Sequence, residues 1–139
     1  MNPLDHRIET MQDLQTAWEH IDGGNGYSAP QLFALLIDAD GWIEPHIVQL
    51  YDEGPPEPEL VGNLVWCLGE VLRDAVPGGS VALMKARPGS ARLDDLDRQW
   101  CRLLHQHLSA APFATHPLFY ATGGGVRVVS PDELITDAS

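Results

Sequence analysis

Basic side chains are scarce in this chain: Lys and Arg together number 8, against 20 Asp and Glu, for a formal net charge of -12. Binding nucleic acid without sequence preference needs cations that displace condensed counterions, and an anionic membrane surface attracts the same groups. Neither partner suits this composition. Cysteine is nearly absent, with 2 in 139 residues, and Cys67 and Cys101 lack the close spacing of a redox or zinc motif. They read as small core or near-core thiols in a reducing compartment. Long apolar runs are missing too. No stretch reaches the roughly 18 residues that span a bilayer. The opening Met1-Asn2-Pro3-Leu4-Asp5-His6-Arg7 has no apolar signal core. The expected setting is cytoplasmic. Internal repeats are also absent, so the 139 residues read as one domain, long enough to bury a core.

What is present is a clean alternation of helix and strand patterns. Ile8, Met11, Leu14, Trp18 and Ile21 fall at three- and four-residue steps, the spacing of an amphipathic helix over 5–21. Such a helix docks on the core or serves as a partner-binding arm. Gly23, Gly24 and Gly26 then make a linker, so 1–26 reads as helix plus linker and 27–131 as an α/β core. Leu32 to Ile37 suits a buried strand, and Trp42 to Tyr51 the returning strand of a hairpin. The turn Asp38-Ala39-Asp40-Gly41 resembles the start of an EF-hand loop. Ile47, Val48 and Leu50 stand where later calcium ligands belong, which favours a plain turn.

A proline-stiffened loop, 52–59, leads to a helix over 60–75 with Val61, Leu64, Val65, Leu68, Val71, Leu72 and Ala75 on one face. Pro77-Gly78-Gly79 stops it. Ser80 to Met84 is a short strand, 93–109 a helix, and Leu118–Ala121 with Val126–Val129 a closing hairpin around Gly123–Gly125. Residues 132–139 form a polar, flexible tail. The order α-β-β-α-β-α-β-β predicts an α/β (α+β) fold, a mixed sheet flanked by helices.

Sites of chemistry are harder to find. His105 and His107 stand roughly 200° apart around a helix and cannot share a metal. His6, His20, His46 and His116 are isolated in sequence. No serine sits in a Gly-x-Ser-x-Gly elbow. The charge distribution is more informative. Lys85, Arg87, Arg92, Arg98 and Arg102 cluster in an otherwise acidic chain. Lys85, Arg87, Ser90 and Arg92 surround a strand-to-helix turn, where backbone N–H groups and guanidiniums suit an anion or an acidic partner segment. The alternative is pairing with Asp94, Asp95 and Asp97 just downstream.

At this junction the sequence resembles the RadC-like branch of the JAB/MPN metalloprotease-like family. The family's metal motif, His-x-His-Pro-x-Gly followed by a serine and an aspartate, falls against Lys85-Ala86-Arg87-Pro88-Gly89-Ser90 and Asp97. Glu44 is a loose counterpart of the family's catalytic glutamate. The resemblance covers about 100 residues of layout, from 32 to about 130. It implies a JAB-like fold whose site retains Glu44, Pro88, Gly89 and Asp97 as remnants. Cations at both histidine positions give a metal ion no lone pair. The expected protein is a metal-free, cofactor-free relative, with no catalytic residue assigned. It would act as a binding or scaffold module for a protein or peptide, or self-associate. Two other readings stay open. One is a small hydrolase built from Glu44, Asp97 and convergent histidines, with or without metal; the other is a small-anion sensor. Four tryptophans in so short a chain suit an interface, but Trp18, Trp66 and Trp100 lie in helical segments, where core packing accounts for most of them.

Overall fold

The computed structural model describes residues 7–22, 27, 29–44, 47–51, 54–89 and 93–130. His6, the 23–26 linker, His46, Ser90, Arg92 and the 132–139 tail lie outside the described residues. Helix α1 is Met11–Asp22, α2 is Pro58–Ala75 and α3 is Asp95–Ser109. The strands are β1 (Gln31–Ile37), β2 (Val48–Tyr51), β3 (Ser80–Ala86), β4 (Ala114–Thr115), β5 (Phe119–Thr122) and β6 (Gly125–Val128). They form one mixed sheet in the order β2-β1-β3-β5-β6, with β4 beside the start of β3. β1 runs antiparallel to β2 and β3, and β5 runs parallel to β3. The mixed sheet with flanking helices is the architecture the alternation predicts.

Strand alternation divides the core in two. Leu32, Ala34, Leu36, Val81, Leu83, Leu118 and Tyr120 face α2 and α3. Phe33, Leu35, Ile37, Ala82, Met84, Phe119 and Ala121 face the other way and pack with Leu14 and Trp18 of α1. The first helix therefore docks on the core; Gln15 also donates from Nε2 to the Val126 carbonyl at 2.8 Å. With both faces covered, β1 is buried at all seven positions, as its unbroken apolar run requires.

Several expectations shift. The first helix begins at Met11, not near residue 5, because Thr10 and Asp13 cap it reciprocally: Thr10 N–H donates to the Asp13 carboxylate at 3.0 Å and Asp13 N–H to the Thr10 hydroxyl at 3.2 Å. That frees Arg7 to bridge to Trp42. Among the described residues, the return of the first hairpin is strand at Val48–Tyr51, with isolated bridges at Trp42 and Ile43. β3 runs past Met84 to Ala86. β4, two residues long, carries too short a pattern to be read from sequence. Cys67 is exposed rather than near the core, while Cys101 is buried as expected. Val71 and Ala75 also leave the predicted apolar face of α2, which buries Val61, Val65, Leu68 and Leu72 instead.

The connection from α2 to β3 is tight. A Cβ at Gly79 would lie 2.5 Å from the Ile37 carbonyl oxygen, so only glycine lets the chain enter β3 against β1.

Candidate functional site

The basic junction forms where β3 passes beneath the start of α3. Lys85 lies on the same face of the sheet as Val81 and Leu83, and Arg87 follows on that face by strand alternation. The register sets Leu32, Lys85, Tyr120 and Arg127 side by side across β1, β3, β5 and β6. Lys85, the chain's sole lysine, is 1% exposed. Its Nζ lies 5.9 Å from the centre of the Trp100 ring, a cation–π approach. The Trp100 indole N–H in turn donates to the Gly54 carbonyl at 2.7 Å. Lys85 is therefore a core residue of β3 and not part of an exposed turn.

Arg87 donates from Nε to Asp97, and from its terminal nitrogen to the Pro88 carbonyl at 2.7 Å. Its other terminal nitrogen is 4.0 Å from the Asp94 carboxylate. Asp97 is buried and takes part in three arrangements at once. It completes a capping box with Asp94, whose backbone N–H it accepts at 3.1 Å while its own N–H donates to the Asp94 carboxylate at 2.8 Å. It pairs with Arg87, and it accepts the Tyr120 hydroxyl at 2.8 Å. The Arg87 and Arg127 guanidiniums lie 5.9 and 5.4 Å from the centre of the Tyr120 ring. Burial pushes the Tyr120 phenol up, and the Asp97 carboxylate it donates to adds to the rise. For Arg87, burial works against the charge, but the Asp97 carboxylate outweighs it and the guanidinium titrates above its ordinary value.

The other sequence candidates disperse. Pro88 and Gly89 form the turn after β3, with Gly89 at φ +107°. Asp95 pairs with Arg98 at 3.3 Å, so the acids downstream of the turn do meet local cations. Glu44 N–H donates to the Leu36 carbonyl. Leu36 stands opposite Val81, so Glu44 is displaced from Lys85 by four positions along the strands, roughly 13 Å at the rise of an extended chain, with β1 between them. His105 is exposed, His107 lies between α2 and α3, and His116 follows β4. Among the described residues no group of three His, Cys, Asp or Glu is placed to hold a metal ion. No helix among them is long and apolar enough to cross a membrane.

A second feature was not read from the sequence. An open groove of about 720 Å³ runs between α2, the end of α3 and the segment before β4. Two glycines shape it. Gly62 and Gly69, seven residues apart, lie on one side of α2. A Cβ on Gly69 would meet the Phe113 ring at 2.8 Å, and one on Gly62 the His107 ring at 3.2 Å. The two rings thus lie close against bare backbone. Val65, Leu72 and Pro112 add apolar wall, and a Glu70–Arg73 ion pair edges it. Trp66, assigned to core packing by its helical position, lines this groove with 65% of its surface exposed. Trp18 and Trp100 are buried as expected. No family model, curated protein or solved structure matches this chain.

Proposed function

We propose that this protein is a protein- or peptide-binding module whose contact surface is the α2–α3 groove. The observation that carries the reading is Trp66, largely exposed at the edge of an apolar groove. A tryptophan held in water costs hydration free energy that burial against a partner recovers, and such aromatics dominate binding interfaces. The chain's charge selects the partner. At -12 the protein attracts a basic segment and repels a second copy of itself. The fitting occupant is a basic peptide or protein that presents an apolar side chain to Val65, Leu72 and Phe113.

The proposal keeps the resemblance to the JAB/MPN family as a metal-free relative. Lys85 and Arg87, opposite the family's two histidines in sequence, lie toward α3 with Asp97. That supports reading the pair as replacements that join sheet to helix where the family places its metal. A cytoplasmic setting belongs to the same proposal, supported by Cys67 and Cys101 not being joined to each other.

Selection from a random peptide library, followed by calorimetric titration of the selected peptide, tests the reading. Trp66→Ala is expected to weaken binding by about 2 kcal/mol, roughly 30-fold, while folding stability changes by less than about 0.5 kcal/mol. A selected peptide that binds Trp66→Ala as tightly as the unaltered protein contradicts it. So does a set of selected sequences without basic residues or an apolar anchor.

A further inference from the structure

At the far end of β3 from the basic junction lies a pair that no part of the reading above uses. Ser80 is the first residue of β3 and His116 follows directly on β4. β4 runs parallel to β3 with Ser80 opposite Ala114 and Val81 opposite Thr115. His116 N–H then donates to the Val81 carbonyl at 3.0 Å. Two adjacent strands therefore fix both backbones, and the Ser80 hydroxyl oxygen lies 2.7 Å from Nε2 of His116. Both side chains are half-buried and line a cleft of about 370 Å³, whose walls include Arg7, Asp38, Asp40 and Thr115.

We propose that Ser80 and His116 form a nucleophile–base pair that accepts the acyl group of a small, uncharged or cationic ester. The geometry is what acyl transfer requires: a hydroxyl within hydrogen-bond reach of an imidazole nitrogen, held on rigid elements at the wall of a cleft. Burial lowers the affinity of His116 for a proton. The ring is therefore neutral near pH 7, and with its proton on Nδ1 the hydroxyl donates to Nε2. Cleft charge sets the substrate class. Glu9, Asp38 and Asp40 line it against the single guanidinium of Arg7. Arg7 itself donates from Nε to the Asp40 carbonyl at 2.9 Å and pairs with Glu9 at 3.5 Å. Three carboxylates against one cation repel an anionic substrate and accept a neutral or positive one.

In the reaction, the Ser80 oxygen attacks the ester carbon as its proton passes to His116 Nε2. The bond to the alcohol oxygen then breaks, and the alcohol leaves with that proton. Water attacks the acyl-serine with His116 again taking the proton. The carboxylic acid departs and the Ser80 hydroxyl is restored. This chemistry is independent of the α2–α3 groove, although the two depressions share Gly78 and Ala114 as lining.

The test uses p-nitrophenyl acetate with the full chain, following nitrophenolate release and locating the acetyl group by peptide mass spectrometry. Acetylation is expected at Ser80, absent in Ser80→Ala and at least about 100-fold slower in His116→Gln, the lower range of general-base catalysis. Gln99→Ala, exposed on α3 and outside both depressions, is expected to react at the rate of the unaltered protein, and the assay needs no groove ligand, which separates this inference from the groove proposal. Acetyl groups elsewhere with Ser80 unmodified, or an unchanged rate in His116→Gln, overturn it. Ser80→Cys gives a readout that does not depend on the His116 variant folding. Its new thiol is expected to react with iodoacetamide faster than the exposed Cys67 at the same pH, because a neighbouring imidazole promotes the thiolate. Slower alkylation than at Cys67 overturns the proposal.

Discussion

The guanidinium of Arg87, just beyond the end of β3, is ion-paired with the carboxylate of Asp97 in the first turn of α3. The contact ties sheet to helix at the point where the sequence places its basic cluster. Its two side chains are 17% and 4% exposed, so neither keeps a full hydration shell. Removing one partner leaves the other buried without compensation, a loss of about 3–5 kcal/mol. Asp97→Asn is expected to cost this much, since it also weakens the Tyr120 hydrogen bond and the capping box. Thermal unfolding followed by circular dichroism checks it, with an expected fall of roughly 10 °C for a domain of this size. A fall of about 1 °C would show that the pair is not structural.

Tyr120→Phe deletes only the hydroxyl that Asp97 accepts at 2.8 Å. The expected cost is about 1.5–3 kcal/mol, the range for hydrogen bonds to charged groups. The phenol's proton affinity also gives the effect a pH signature. Burial and Asp97 raise it in Tyr120, and burial and Asp22 raise it in Tyr27, which donates to Asp22 at 2.5 Å. The folded state thus holds these protons after the unfolded chain has released them. Their stabilisation is whole below about pH 10, the ordinary phenol value, and is lost as pH rises above it. Tyr27→Phe and Tyr120→Phe should each flatten the alkaline limb of a urea-denaturation series.

His116 has the opposite sign. Burial lowers its folded proton affinity, so the unfolded chain protonates first as pH falls. The stabilisation from keeping the ring neutral is complete above about pH 6.5 and is lost as pH drops through the folded value. His116→Gln is expected to reduce the slope of stability against pH just below 6.5. An unchanged slope there would mean that the ring is solvated.

Lys85 offers a chemical check on the junction. At 1% exposure its amine is screened from reagent, whereas an amine on an exposed ligand-binding turn reacts freely. An amine-reactive ester is expected to leave Lys85 unmodified in the native protein and to modify it after denaturation in urea. Rapid native labelling would place the side chain at the surface.

The sequence disclosed the framework because the framework rests on periodicity. Leu32 to Ile37 and the apolar face containing Val61, Val65, Leu68 and Leu72 fixed elements whose type has no competing reading. The ends of elements depended on finer chemistry. Thr10 with Asp13, and Asp94 with Asp97, are capping boxes visible as residue pairs three apart, and they set the true starts of α1 and α3. Of the candidate cations at the junction, Lys85 and Arg87 have surroundings that the run of charges does not reveal, and Arg92 lies outside the described residues. Extending β3 by two residues carried Lys85 into the core and set Arg87 against Asp97. What lay beyond reach was long-range. Trp66 is out of step with the buried Val61, Val65, Leu68 and Leu72 of its helix, and only the packing of Phe113 and His107 on Gly69 and Gly62 shows that its side of α2 borders a groove. Ser80 and His116 are 36 residues apart and meet through a two-residue strand that no pattern announces.

The most direct test of the groove as the binding surface is a titration of isotopically labelled protein with the selected peptide, followed by amide and side-chain NMR shifts. The account predicts that the shifts concentrate at Gly62, Val65, Trp66, Gly69 and Phe113, with Lys85, Arg87 and Arg127 unmoved. Shifts concentrated at Lys85, Arg87 and Gly89, with Trp66 unchanged, would contradict it and return the binding site to the basic junction.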